Sequence, residues 1–373
     1  MKLKDLGDYF IGLTYKPESV TNEGTIVLRS GNIQGGKLDL SDIVRVNTNI
    51  REKQFVRPGD ILMCSRNGSA KLVGKSTVIP DINEPMTFGA FMTVFRTPYN
   101  EYLRFFFQSD SFKKQLLSSK TTTINQITVN MLDSIDIELP EKSIRDERCA
   151  ILNRIQKVIN TKEEELSALD NLIYARFVEM FIGRDYPLIS VGNLSLGKGE
   201  YGAQSASVKY DSNRPRYVRI TDINDDGTLN DDVVSSSNVE DDKQYKLCYG
   251  DFLFARMGAT VGKTYAYKEG NQIYAGYLIR YKLNLEQILP EYLFAFTKLN
   301  QYWSWVKLNQ SGAAQPGINA KKYDSLQIPV APMREQKAFQ SFAAQIDKSK
   351  SVIQKSLDET QLLFDSLMQK YFG

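Results

Sequence analysis

SIRDERCAILNRIQKVINTKEEELSALDNLIYARFVEMF, residues Ser143–Phe181, governs how the rest of the chain must be arranged. Ile151, Ile155, Val158, Lys162, Leu166, Leu169, Ile173, Arg176 and Met180 recur in steps of three and four, the spacing of one helical stripe. Arg148, Arg154, Lys157 and the run Glu163-Glu164-Glu165 fill other faces. Neither Pro nor Gly interrupts the chain between Pro140 and Gly183. At 1.5 Å per residue the stretch predicts a rod about 57 Å long. A lone rod of that length cannot bury its stripe, so it requires a second helix.

The second helix lies in Arg334–Phe372. Phe339, Phe342, Ile346, Ser349, Ile353, Ser356, Thr360, Leu363 and Leu367 repeat the three-and-four spacing, and no Pro or Gly intervenes before Gly373. The two rods predict an antiparallel coiled-coil pair, with Ile155, Leu166, Leu169 and Ile173 on one side and Phe342, Ile346, Ile353 and Leu363 on the other as partner-binding positions.

Residues 1–182 and 183–373 read as the same unit twice. Pro58-Gly59-Asp60-Ile61-Leu62 matches Tyr249-Gly250-Asp251-Phe252-Leu253, and Arg66-Asn67-Gly68 matches Arg256-Met257-Gly258. Further along, Gly74-Lys75-Ser76 matches Gly262-Lys263-Thr264, Tyr102-Leu103 matches Tyr292-Leu293, Asp133-Ser134-Ile135 matches Asp324-Ser325-Leu326, and Phe181 matches Phe372. Each half begins with short strands, such as Thr25–Leu28, Asp60–Cys64, Tyr217–Ile220 and Asp251–Ala255, separated by Gly, Asn and Asp turns. A helical stretch follows, Tyr99–Leu117 or Glu291–Leu308. An extended segment ending in proline, Ile135–Pro140 or Leu326–Pro332, then leads into the long helix. The predicted class is α+β: a tandem β-rich domain, each copy followed by a long helix. The boundaries fall at 1–140, 141–182, 183–332 and 333–373.

The 373 residues contain no histidine, which excludes Ser-His-Asp and Cys-His nucleophiles, His-ligated zinc and His acid–base catalysis. Cys64, Cys149 and Cys248 match no metal spacing and read as reduced, mostly buried thiols. A net charge of +3 is nearly neutral, so any nucleic-acid surface must be local. No apolar run reaches the length of a membrane span, and MKLKDLGDYF lacks a signal-peptide core, which predicts a soluble, cytoplasmic chain.

Three stretches imitate enzyme motifs. Gly258-Ala259-Thr260-Val261-Gly262-Lys263-Thr264 resembles a phosphate-binding loop but has three residues between its glycines where four are needed, and Tyr265-Ala266-Tyr267 reads as strand. Asp222-Ile223-Asn224-Asp225-Asp226-Gly227 begins like a calcium loop, yet Val233 stands where the closing glutamate belongs. Asp241-Asp242-Lys243 suggests a carboxylate-and-lysine nuclease core with no counterpart in the first half. No catalytic residue, metal or cofactor is assigned.

Polar and basic turn residues in both halves suit a reader of DNA. The first half offers Arg66, Asn67, Lys71, Lys75, Lys120, Asn125 and Gln126; the second offers Lys209, Arg214, Arg216, Arg256, Lys263, Gln315 and Asn319. Arginine matches guanine, Asn and Gln match adenine, and lysine holds phosphates. Taken alone, these residues leave open a pseudo-twofold scaffold or adaptor protein without DNA specificity, and less readily a carboxylate/lysine nuclease.

In combination, the features resemble the specificity (S) subunit of Type I restriction-modification enzymes. They are Gly59–Leu62 with Arg66–Gly68, Gly250–Leu253 with Arg256–Gly258, the run Gly258–Lys263, and Val330-Ala331-Pro332 leading to Arg334-Glu335-Gln336. The likeness spans the chain. The first half departs from it in its loop, Gly-Ser-Ala-Lys-Leu-Val-Gly-Lys, and in Arg145-Asp146-Glu147-Arg148, which lacks the Gln. The resemblance implies a non-catalytic subunit with two target recognition domains reading a split double-stranded DNA site. It implies a helix pair that sets the gap and docks two methyltransferase (M) subunits, two restriction (R) subunits joining them, and no bound S-adenosylmethionine or ATP.

Overall fold

A computed structural model describes residues 1–118, 126–312 and 316–373. The chain divides into two compact units, Met1–Lys162 with Ser356–Gly373, and Glu163–Lys355.

In the first unit, Asp8–Ile11, Met92–Arg96, Ile61–Cys64 and Ser76–Val78 form an antiparallel sheet in that order. A second sheet orders Val20–Thr21, Val44–Val46, Thr25–Leu28 and Met86–Phe88, the last two parallel. Ile61–Cys64 is apolar throughout because both its faces are covered. One face meets the helix at Asn100–Phe106 through Ile61 and Met63; the other meets Ile26, Leu28 and Phe88 through Leu62 and Cys64.

The second unit repeats the plan. Glu200–Tyr201, Leu278–Lys282, Asp251–Ala255 and Thr264–Ala266 form the matching sheet, and Arg216–Val218 runs parallel to Gln272–Tyr274. Asp251–Ala255 is again buried at every position.

The continuous helix expected over Tyr99–Leu117 is two helices, Asn100–Phe106 and Asp110–Ser118. Ser109 starts the second by accepting the Phe112 N–H on its Oγ at 3.2 Å, an N-cap bond that ends one helix and begins another. The second half breaks likewise into Pro290–Phe296 and Asn300–Asn309.

The two long helices are Lys142–Phe181 and Met333–Phe372, each 40 residues. Within the first unit, Arg148 donates to the Tyr371 carbonyl at 3.3 Å and Lys162 to Ser356 Oγ at 2.7 Å. Within the second, Lys350 pairs with Asp170 at 2.5 Å and the rings of Phe177 and Phe339 lie 5.3 Å apart. In each unit the partner numbers fall on one helix as they rise on the other, so the helices pack antiparallel.

The expected stripe is only part of the packing. Ile155, Leu166, Leu169, Ile173, Phe342, Ile346 and Ile353 are half-buried, and Leu363 is 53% exposed. The fully buried positions lie beside that stripe: Cys149, Leu152, Ile159, Phe364, Met368 and Phe372 in the first core, and Phe177, Phe181 and Phe339 in the second. Each helix therefore gives buried residues to a globular core from positions off the stripe, and Ile155 and Ile173 of the stripe pack against those same cores. Full burial of each such aromatic contributes about 1.5–3 kcal/mol.

Cys64 and Cys149 are buried free thiols, and burial raises both pKa values; Cys248 is exposed. Among the described residues, no helix is long and apolar enough to cross a membrane.

Candidate nucleic-acid interface

Each half carries a glycine loop at the end of its central strand. The two loops differ in length but close identically. The Cys64 N–H donates to the Lys75 carbonyl and the Gly74 N–H to the Cys64 carbonyl; Ala255, Lys263 and Gly262 repeat the pattern, all at 2.8–3.0 Å. Gly74 and Gly262 sit at φ +92° and +88°, a conformation that favours glycine. The next residues enter strands Ser76–Val78 and Thr264–Ala266, so neither loop opens the helix that a phosphate cradle requires.

The two loop lysines turn inward. Lys75 donates to the Ile33 carbonyl at 2.7 Å. Lys263 donates to the equivalent Ile223 carbonyl at 3.3 Å and pairs with Asp225 at 2.7 Å, holding that carboxyl below its ordinary range. Both lysines clamp the loop to the turn that precedes it.

Other candidates also have internal work. Arg214 grips Asp242 through two bonds of 2.7 and 2.9 Å and also donates to the Ser236 and Asn238 carbonyls. Arg216 donates to the Asn230 carbonyl. Asn67 accepts from Ser69 N–H and donates to Ser30 Oγ, shaping its own turn. Asn319 caps the short helix Ala320–Asp324 by accepting from Lys322 N–H at 3.0 Å. Gln126 forms a β-bridge with Arg66. Lys120, Asn125 and Gln315 lie outside the described residues.

Arg66, Lys71, Lys209 and Arg256 remain. Lys71 is exposed on the 3-10 turn Ala70–Leu72, and Lys209 is exposed on the strand Ser207–Lys209. Arg66 lies over the Phe91 ring, 5.3 Å from its centroid, and Arg256 over Tyr201 at 4.7 Å. The sequence match between these arginines is off by one. Arg256 N–H donates to the Tyr277 carbonyl and its carbonyl accepts from Ile318; Ser65 makes the same two bonds, to Phe91 and from Ile127. Ser65 is thus the counterpart of Arg256, and Arg66 corresponds to Met257. The two arginines thus leave the backbone at neighbouring rather than equivalent positions just beyond the central strands, and they meet different rings.

Lys71 also lines a cleft of about 650 Å³ in the first unit with Lys37, Lys75, Arg104 and Lys113, and among the described residues no carboxylate lines it. The corresponding cleft of the second unit, about 700 Å³, mixes Arg216, Lys268, Lys298 and Lys350 with Asp170, Asp225, Asp226, Glu269, Glu291 and Asp347. Burial there depresses the Lys298 pKa.

The profile of the Type I restriction modification DNA specificity domain matches twice, over residues 1–171 and 190–360. The chain belongs to the type I restriction-modification specificity family. It is 25% identical to the EcoKI specificity subunit of Escherichia coli (strain K12) over 412 aligned positions, covering 97% of this chain and 85% of that protein. It is 24% identical to the StySPI specificity subunit of Salmonella potsdam over 396 positions, with the same coverage. Its fold matches the crystal structure of the type I restriction-modification S subunit from M. genitalium at TM-score 0.53 and 13% identity, covering 100% of this chain and 95% of that one.

Specificity subunits are not enzymes, and the acidic clusters of this family member are occupied structurally. Asp222 is buried and accepts from the Arg219 backbone at 2.8 Å and its guanidinium at 2.7 Å. Asp241 is buried and accepts from Ser236 Oγ at 2.5 Å. Sequence reasoning missed Phe91 and Tyr201, whose place beneath an arginine depends on strand pairing; it singled out Gln336 but not the Leu289 and Gln287 backbone groups that the side chain binds.

Proposed function

We propose that this specificity subunit reads a bipartite, gapped site in double-stranded DNA. Residues 1–140 and 183–332 are the two target recognition domains, one for each half-site. Residues 141–182 and 333–373 are the spacer that fixes the gap and the surface on which two methyltransferase and two restriction subunits assemble, in the cytoplasm. The observation that carries this reading is the duplication: two units of one plan, each with a glycine loop at the end of its central strand and each packed on the long helices. Arg66, Lys71, Lys209 and Arg256 contact DNA directly; Asn67, Lys75, Arg214, Arg216, Lys263 and Asn319 shape the turns that present them. Gln126, with Lys120, Asn125 and Gln315, completes the contact set. Lys71, with Lys37 beside it in the first cleft, supplies phosphate contacts.

The test is co-expression with the cognate methyltransferase subunit and mapping of methylated adenine across host DNA. A split motif of fixed gap is the expected result. A stable complex that leaves DNA unmodified, with no sequence-dependent binding, would favour a scaffold.

A further inference from the structure

We propose that the Arg66–Phe91 pair and the Arg256–Tyr201 pair each read one guanine in their own half-site, the ring holding the guanidinium plane in place. This inference rests on the DNA-reading role proposed above and names the residues that set part of its specificity.

Three observations carry it. First, neither arginine has a carboxylate partner among the described residues, and residues 119–125 and 313–315 contain no Asp or Glu. Arg45, Arg96, Arg214, Arg219 and Arg280 each pair with a carboxylate. Second, each guanidinium lies over a ring that is itself open to solvent, Phe91 at 58% and Tyr201 at 41% exposure. Each pair therefore presents a cation and an apolar ring together to whatever binds that surface, without a neighbouring carboxylate to compete for the guanidinium. Third, Arg256 has a buried Nε without a hydrogen-bond partner, while its terminal nitrogens are not among the buried unpaired atoms. The Nε donor of Arg256 is thus left without a protein partner.

A planar fork of N–H donors matches O6 and N7 of guanine, and a ring beneath it restricts rotation of the plane. Lysine carries the charge without the fork. The two pairs come from neighbouring rather than equivalent backbone positions, so they project differently from otherwise duplicated scaffolds. That difference suits two unlike half-sites.

The test uses the full chain co-expressed with its methyltransferase subunit, with methylated adenine mapped for R66K, F91A, R256K, Y201A and Y201F. R256K and Y201A should each lose discrimination at one guanine of one half-site, by roughly tenfold to a hundredfold. The other half-site and the gap should be unchanged, which also reports an intact fold. Y201F keeps the ring and should keep the wild-type motif. R66K and F91A should relax one guanine of the opposite half-site. A variant that methylates nothing is assayed as purified complex against duplexes substituted one position at a time, where a lost guanine preference supports the proposal. Unchanged motifs in R66K and R256K, relaxation at a position other than guanine, or uniform weakening across all positions would overturn it. A wild-type complex with no split motif would overturn the DNA-reading role itself.

Discussion

Gln336 accepts the Leu289 backbone N–H on its Oε1 at 2.9 Å while its amide donates to the Gln287 and Ala331 carbonyls at 2.9 and 2.8 Å. The side chain is fully buried and ties the first turn of the second long helix to the segment before Pro290–Phe296. Arg145 takes the corresponding place in the first unit, donating to the Pro140 carbonyl and lying 5.1 Å from the Tyr99 ring centroid. The motif residue missing from the first half is therefore replaced in role, and the helix entry is held in both.

Gln336→Leu strips three buried backbone groups of their partner. It should destabilise the second unit by about 2–4 kcal/mol. Both tryptophans, Trp303 and Trp305, lie in that unit, so urea unfolding followed by tryptophan fluorescence reports it directly. An unchanged midpoint would show that water replaces the amide.

Phe177 packs on Phe181, Tyr292 and Phe339 with ring centroids at 4.9, 5.1 and 5.3 Å. Phe177→Ala should cost about 3–5 kcal/mol by the same fluorescence measurement, because a close-packed aromatic cluster cannot collapse around the void. A loss under 1 kcal/mol would mean that the helix does not share the core of that body.

Lys263→Met should raise the Asp225 pKa back toward the ordinary carboxylate range, read by carboxyl carbon NMR. In the wild-type fold Lys263 lowers that pKa, through their hydrogen bond and then through charge. The pair therefore adds stability above the unfolded-state value, and that contribution is lost as pH falls through the lower folded-state value. Asp225 is 93% exposed, so the stability difference should be small and should shrink further in salt. An Asp225 titration identical in both proteins would place the lysine elsewhere in solution.

On the proposed spacer role, one heptad inserted near Glu163, matched by one in the facing segment near Ser356, lengthens the pair by about 10 Å. The gap in the methylated motif should grow by about three base pairs, with both half-sites retained. A gap that stays fixed would separate spacing from helix length.

The long helices and the tandem repeat were legible because both are written in local period and repeated identity. The buried positions off the stripe were not, since Leu152, Ile159 and Phe177 break the three-and-four spacing and acquire meaning only against the bodies they enter. At the loops, residue types were readable but destinations were not. Lys75 and Lys263 bind carbonyls some forty residues away, at Ile33 and Ile223. The one-residue displacement between Arg66 and Arg256 shows in the Ile127 and Ile318 N–H groups, which donate to Ser65 and Arg256, distant neighbours that no matching of identical letters weighs.

The first unit closes its core with Phe364, Met368 and Phe372, whereas the second is the uninterrupted stretch Glu163–Lys355. A ribosome makes the whole of the second unit before those three residues. The earlier-numbered unit thus cannot complete its core until the end of the chain is made, because Leu152 and Ile159 share that core with all three. Released chains that stop before Phe364 should carry a protease-resistant second unit and a first unit dependent on chaperones.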